Sequence, residues 1–165
     1  MIDIHTPASR NYFTDKELQC KCNSCTSERG RGELCAGDAR NINPEFLAHL
    51  NRVRERVYCR SMPVTSGFRC RRHSVVVAKR ESAELNGKPY VRGDHAGGVG
   101  ADVHVYGKDA HHLMQALHVY NWLHAQAGLP QPFTAICPNQ RGASLERFIH
   151  IGGNVEAPGR PRPWL

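Results

Sequence analysis

A chain of 165 residues, 40% of them hydrophobic and with a mean hydropathy of −0.52, fits one globular domain with a modest core. No apolar run approaches the roughly 18 residues a membrane helix needs. The opening MIDIHTPASRNYF lacks the basic start and apolar core of a secretory signal, so synthesis in the cytoplasm is expected, with any exit by a route outside the sequence. A net charge of +7 favours an anionic partner, although scattered arginines (RVRER, FRCRRH, GRPRP) suit a solvated basic surface as well as a nucleic-acid groove.

In chain order, FTDKEL carries a capping box, with Thr14 at the helix start and Glu17 reaching back. That short helix runs into CKCNSCTSERGRGELC, which holds Cys20, Cys22, Cys25 and Cys35. Seven cysteines are odd in number and too sparse for a disulfide scaffold. In a reducing compartment these four thiolates predict a structural zinc site, with disulfides or free thiols as alternatives. A second helix is predicted from Asn43 as cap and Pro44 at its first position. Phe46, Leu50, Val53 and Val57 then form one apolar stripe, with His49 beside it as a surface or half-buried residue.

MPVTSGFR reads as a short strand ending in a turn at Gly67. Cys59, Cys70 and Cys137 read as small core residues, or the first two as a pair across a hairpin. Residues 71–94, polar and broken by Gly87 and Pro89, read as a surface insertion. ADVHVY alternates, with Ala101, Val103 and Val105 on one face and Asp102, His104 and Tyr106 on the other. A long helix follows, with Leu113, Leu117 and Tyr120 on one face and Gly128 and Pro130 as its stop. Its His111, His112, His118 and His124 share no ligand spacing and are expected in solvent. FTAIC (133–137) and RFIHI (147–151) close the pattern as strands, Phe148 and His150 facing opposite to Ile149 and Ile151. With no internal repeat or linker, the expectation is a single α+β domain over 1–165. Helices come first, then a small, mostly antiparallel sheet with a long helix laid on it.

The segment RGDHAGGVGADVHVYG concentrates the chemistry. His95 precedes a glycine bend and Asp102 begins a strand, and Gly97, Gly98 and Gly100 let the chain double back so that the two side chains converge. His150 lies mid-strand on a polar face. Two imidazoles and a carboxylate are a standard protein set for catalytic zinc, leaving a fourth position open. A dinucleotide loop is excluded, because a strand rather than a helix follows GGVG.

SGFRCRRH, HAGGVGAD and FIHIG, in this order, resemble the zinc-dependent D-Ala-D-Ala carboxypeptidases, a family that includes phage endolysins and the D,D-dipeptidases of vancomycin resistance. It shares its fold with the hedgehog signalling domain. His95, Gly98 and Asp102 match the family signature at its intervals, and Gly100 replaces a small alanine. The resemblance implies a hedgehog/DD-peptidase fold, with His95, Asp102 and His150 as zinc ligands. It also implies that Arg69 holds substrate and polarises its carbonyl, as a planar, permanently charged donor can. The family's base stands three residues before the last ligand histidine. Here Arg147 occupies that position and Glu146 lies one further back, so a bulge at 146–147 would be needed to present Glu146 as the base. His104, on the same strand face as Asp102, is an alternative as outer partner of the centre or proton shuttle, and a third is that zinc-bound water is assisted by some other residue.

The implied function is a monomeric zinc peptidase acting on the peptide part of bacterial peptidoglycan, endolysin-like and released to the wall through a pore made by another protein. Neither a specific nucleic acid nor a membrane is expected as partner. Two rivals stand beside it: a non-catalytic zinc-containing binding module of the same fold, and a nucleic-acid-binding protein built on the cysteine cluster.

Overall fold

The computed structural model describes residues 2–22 and 41–153. The chain folds as α+β. A short helix α1 (Asp15–Leu18) precedes α2 (Pro44–Arg52), which widens into a π-helical segment at Val53–Tyr58. Strand β1 (Val64–Ser66), helix α3 (Ser74–Leu85), strand β2 (Gly100–Val103) and the long helix α4 (Gly107–Gln126) follow. Strand β3 (Ala135–Asn139), a 3-10 turn (Ser144–Glu146) and strand β4 (Phe148–Gly152) complete it. The four strands make one antiparallel sheet in the order β1-β2-β4-β3. Among the described residues, no helix is long and apolar enough to cross a membrane.

Local sequence explains the first helices. The Thr14 amide donates to Glu17 Oε2 at 2.9 Å and the Glu17 amide to Thr14 Oγ1 at 3.3 Å, closing the capping box of α1. Asn43 Oδ1 accepts from the amides of Glu45 and Phe46, and Pro44 needs no such partner at the first helical position. Phe46, Leu50 and Val53 are buried, with Val57 packed at the core's edge. On α4 the predicted face of Leu113, Leu117 and Tyr120 is wholly buried, and Gly128 ends the helix with φ 70°.

Several expectations are corrected. Residues 71–94 are mostly exposed, as a surface insertion should be, but half of them form an unexpected helix: α3 starts where His73 Nδ1 accepts the Val75 amide at 3.3 Å, and Gly87 and Pro89 fall after its end. The run of three valines hides its period, and Val76 is its buried residue. The end of that segment leaves the surface altogether, since Asp94 is buried. His124 is also buried, edge-to-face at 5.1 Å with the half-buried His49, whereas His111, His112 and His118 are exposed as expected. Strand β3 begins two residues later than predicted because Asn121 clamps both backbone groups of Phe133, holding it in the core. Pro138 is tolerated there because β3 is an edge strand. Cys59 and Cys70 do not pair: Cys59 is exposed, its thiol bonded to the Glu55 carbonyl, and Cys70 is buried against Cys20.

The sheet has two unlike faces. Ala101, Val103, Ile149 and Ile151 join the helices in the core. On the opposite face the ladder aligns Ser66 with Asp102, Asp102 with His150, and His150 with Cys137. This cross-strand row carries the site.

Candidate metal centre

His95, Asp102 and His150 converge. His150 Nδ1 lies 2.8 Å and His95 Nε2 3.2 Å from Asp102 Oδ1. Three ligands held at about 2.0–2.1 Å around a tetrahedral zinc would stand roughly 3.3 Å apart, so little movement separates this arrangement from a coordinating one. The pairing of Asp102 with His150 comes from the sheet register. His95 is delivered by a tight turn in which the Gly97 amide donates to the Gly93 carbonyl and the Val99 amide to the Asp94 carbonyl. Two glycines are indispensable to it. Gly98 has φ 76°, and a Cβ there would sit 2.1 Å from the Asn41 carbonyl oxygen. A Cβ on Gly100 would come within 2.6 Å of the His95 amide nitrogen, which explains glycine at the position where the resemblance supplies alanine.

Each ligand is also anchored on its far side. His95 Nδ1–H donates to the Gly67 carbonyl at 2.6 Å, which leaves Nε2 with its lone pair toward the shared point. His150 Nε2 donates to Asp94 Oδ2 at 2.9 Å, leaving Nδ1. Asp102 Oδ2 accepts from Arg69 Nη2 at 3.0 Å, leaving Oδ1. Carbonyl or carboxylate partners on metal-bound imidazoles fix tautomer and orientation, and here both imidazoles have such a partner while Asp102 has the Arg69 guanidinium.

The charges agree with that reading. Burial alone would raise the Asp102 carboxyl, but its bonds to His150 and His95 outweigh it and hold it well below the usual carboxylate range. Burial would lower His150, yet the bonds to Asp102 and Asp94 raise it above the ordinary histidine value. The site therefore concentrates buried negative charge at a point where two imidazoles face it, which suits a divalent cation.

Arg69 also bonds Ser66 Oγ through Nε and Nη2 at 3.2 and 3.1 Å, so its guanidinium braces Asp102 against β1. Glu146 is not brought to the cluster. It caps the exposed 3-10 turn, its Oε2 accepting the Ala143 amide at 3.3 Å. β4 begins only at Phe148, so 146–147 lie in and just after the 3-10 turn and form no strand bulge that would turn Glu146 inward. His104 lies just past β2 and its Nδ1–H donates to the Arg147 carbonyl at 2.9 Å, tying it to the backbone rather than to Asp102. The residues missing from the sequence reading are Asp94 and Ser66. Gly152 was the available signal for the first, because a Cβ there would sit 2.2 Å from Asp94 Oδ2.

Beside the cluster opens a cleft of about 700 Å³, lined among others by Arg69, Arg71, Arg80, Arg92, Tyr90 and Ala96. Helix α3 supplies Arg80, whose guanidinium lies 5.6 Å from the centre of the Tyr90 ring. Four arginines give this cleft a positively charged lining, although Arg69 is already paired with Asp102.

A second group of ligand-type side chains lies elsewhere: Cys20, Cys22 and Cys70. Cys25 and Cys35, which the sequence grouped with the first two, lie outside the described residues. No protein-family model and no curated protein sequence matches this chain, so the chemistry of the site rests on its own geometry.

Proposed function

We propose that the chain is a zinc-dependent peptidase that hydrolyses the peptide moiety of bacterial peptidoglycan, at an amide next to a D-amino acid. The observation that carries this reading is the completeness of the centre, in which two imidazoles and a carboxylate converge with each outer atom anchored. The resemblance of SGFRCRRH, HAGGVGAD and FIHIG to the zinc D-Ala-D-Ala carboxypeptidases supplies the substrate class.

His95, Asp102 and His150 would hold the ion. When bound, zinc supplies Lewis acidity toward a peptide carbonyl and acidifies a water. Arg69 keeps the Asp102 carboxylate turned to one side, and Asp94 keeps the proton of His150 on Nε2. The arginines of the neighbouring cleft bind and orient the carboxylates of a wall peptide. Among the described residues, the carboxylates bonded to the ligand imidazoles are Asp94 and Asp102, not Glu146. That placement of Glu146 favours a second reading, a zinc-containing wall-binding module of the same fold.

Digestion of purified peptidoglycan separates the two readings. The peptidase releases fragments whose new ends, read by mass spectrometry, name the bond; a chelator abolishes release, zinc restores it, and Asp102→Ala lacks it. Zinc bound at the His95 centre with no fragment from several wall types would leave the binding module.

A further inference from the structure

The sulfurs of Cys20, Cys22 and Cys70 lie within 4.8 Å of one another, with Cys22 Sγ 3.6 Å from Cys70 Sγ. A disulfide would bring two of them to about 2.05 Å. Thiolates at about 2.3 Å around a tetrahedral zinc would stand roughly 3.8 Å apart, close to the Cys22–Cys70 separation and within the 4.8 Å that bounds all three. Three sulfurs cannot all pair with one another, and Cys20, Cys22 and Cys70 are free thiols. Cys20 Sγ also accepts backbone N–H groups from Cys70, at 3.3 Å, and from Cys22. These N–H groups orient the Cys20 sulfur toward the other two, while burial keeps its thiol protonated until an ion displaces the proton. Cys20 and Cys70 are buried and Cys22 is half-buried.

Its place in the fold gives it a role. The strand-and-turn segment from Ser66 to Cys70 is gripped from both sides. On one side lies the stretch after α1. The Phe68 amide donates to the Leu18 carbonyl at 2.8 Å, Lys21 Nζ donates to the Thr65 carbonyl at 2.7 Å, and Gly67 is so close that a Cβ would sit 2.4 Å from the Leu18 carbonyl oxygen. On the other side the same segment offers the Gly67 carbonyl to His95, Arg69 to Asp102 and Ser66 to Arg69. Cys70 follows Arg69 directly in the chain.

We propose that Cys20, Cys22 and Cys70 form a structural site for a thiophilic divalent ion, zinc by preference, which staples the Ser66–Cys70 segment and thereby fixes the outer anchors of the His95 centre. The inference goes beyond the peptidase reading and holds whether or not the chain cuts peptide bonds. The ion displaces thiol protons and makes no change of oxidation state.

The test uses the full chain purified with zinc, its metal content measured by mass spectrometry, and the same chain loaded with cobalt. Wild type carries two equivalents of zinc, Cys22→Ser one, and the ligand swap Cys22→His two again. Cobalt gives a thiolate-to-metal charge-transfer band that the histidine–aspartate centre cannot produce; it persists in His150→Ala and vanishes in Cys20→Ser. Because the staple supports the other centre, Cys22→Ser also weakens the remaining zinc by about tenfold in chelator competition. Equal zinc content in wild type and Cys22→Ser with no thiolate band, or a disulfide among the three cysteines in the purified chain, would overturn the site. An unweakened first zinc in Cys22→Ser would overturn the staple.

Discussion

Replacing Gly152 with alanine adds one methyl group at the end of β4 and tests the centre without touching a ligand. The new Cβ would lie 2.2 Å from Asp94 Oδ2, 2.6 Å from its Cγ and 3.2 Å from Ala135 Cβ. Ordinary contact requires the carboxylate to retreat by about 1 Å. The bond from His150 Nε2 to Asp94 Oδ2, now 2.9 Å, would then stretch beyond hydrogen-bond range. Losing such an outer partner costs about 10- to 100-fold in metal affinity, or about 1.4 to 2.8 kcal/mol. Gly152 is not among the residues with positive φ, so the backbone accepts alanine, and the metal-free fold loses about 1–3 kcal/mol through the broken bond of the buried Asp94. Zinc competition against a chromophoric chelator reads the affinity, and thermal unfolding of the metal-free chain serves as control. Asp94→Ala should lose about the same amount, and Gly152→Ala added to it should lose nothing more, since both act through one bond. Wild-type affinity in Gly152→Ala would refute the assignment of Asp94 as the anchor of His150.

Two further outcomes follow from the same geometry. His49 is held down to about 4, first by burial and then by the neighbouring His124 and Arg52 charges. Its folded value lies below the unfolded one, so the unfolded chain binds more protons between about pH 6.5 and 4. Stability is therefore complete above that window and falls by up to about 3 kcal/mol as pH drops through it. Denaturant titrations at pH 7 and pH 4.5 measure the loss; His49→Gln should remove much of it, and an identical pH dependence in that variant would count against His49. Glu146→Gln should leave zinc affinity and peptide release within about twofold of wild type, because the carboxylate caps an exposed turn. A loss of about a hundredfold or more in rate would restore Glu146 as the base.

The parts of the fold governed by short-range rules were legible from residues alone. The caps at Thr14 and Asn43, the stripe through Phe46 and Leu50, and the alternation around Asp102 each depend on neighbours a few positions away. What escaped depends on distant partners. The helix at Ser74–Leu85 was masked by consecutive valines, and His124 was buried by the end of α2 rather than by its own helix. At the site, the ligand triad followed from the resemblance of three segments, whereas its anchors did not. Asp94 meets His150 across 56 positions and Cys70 meets Cys22 across 48, separations at which no spacing rule operates.

The division of labour between ladder and loops also explains why a small sheet suffices for so demanding a site. Asp102 and His150 are opposed by antiparallel register, so their separation is set by the backbone ladder and needs no side-chain adjustment. His95 comes from a loop and is the ligand with most freedom, and it is the one whose turn is pinned at both ends. Gly98 packs against the chain leading into α2, while the Arg69 amide donates to the His95 carbonyl at 3.2 Å. The Ser66–Cys70 segment thus fastens the loop-borne ligand to the strand-borne pair through Gly67 and Arg69. A flexible segment there would let His95 drift by the fraction of an ångström that separates a preorganised centre from a weak one. Three cysteines gathered at the end of that one segment, rather than elsewhere in the chain, are placed where stiffness matters most to the centre.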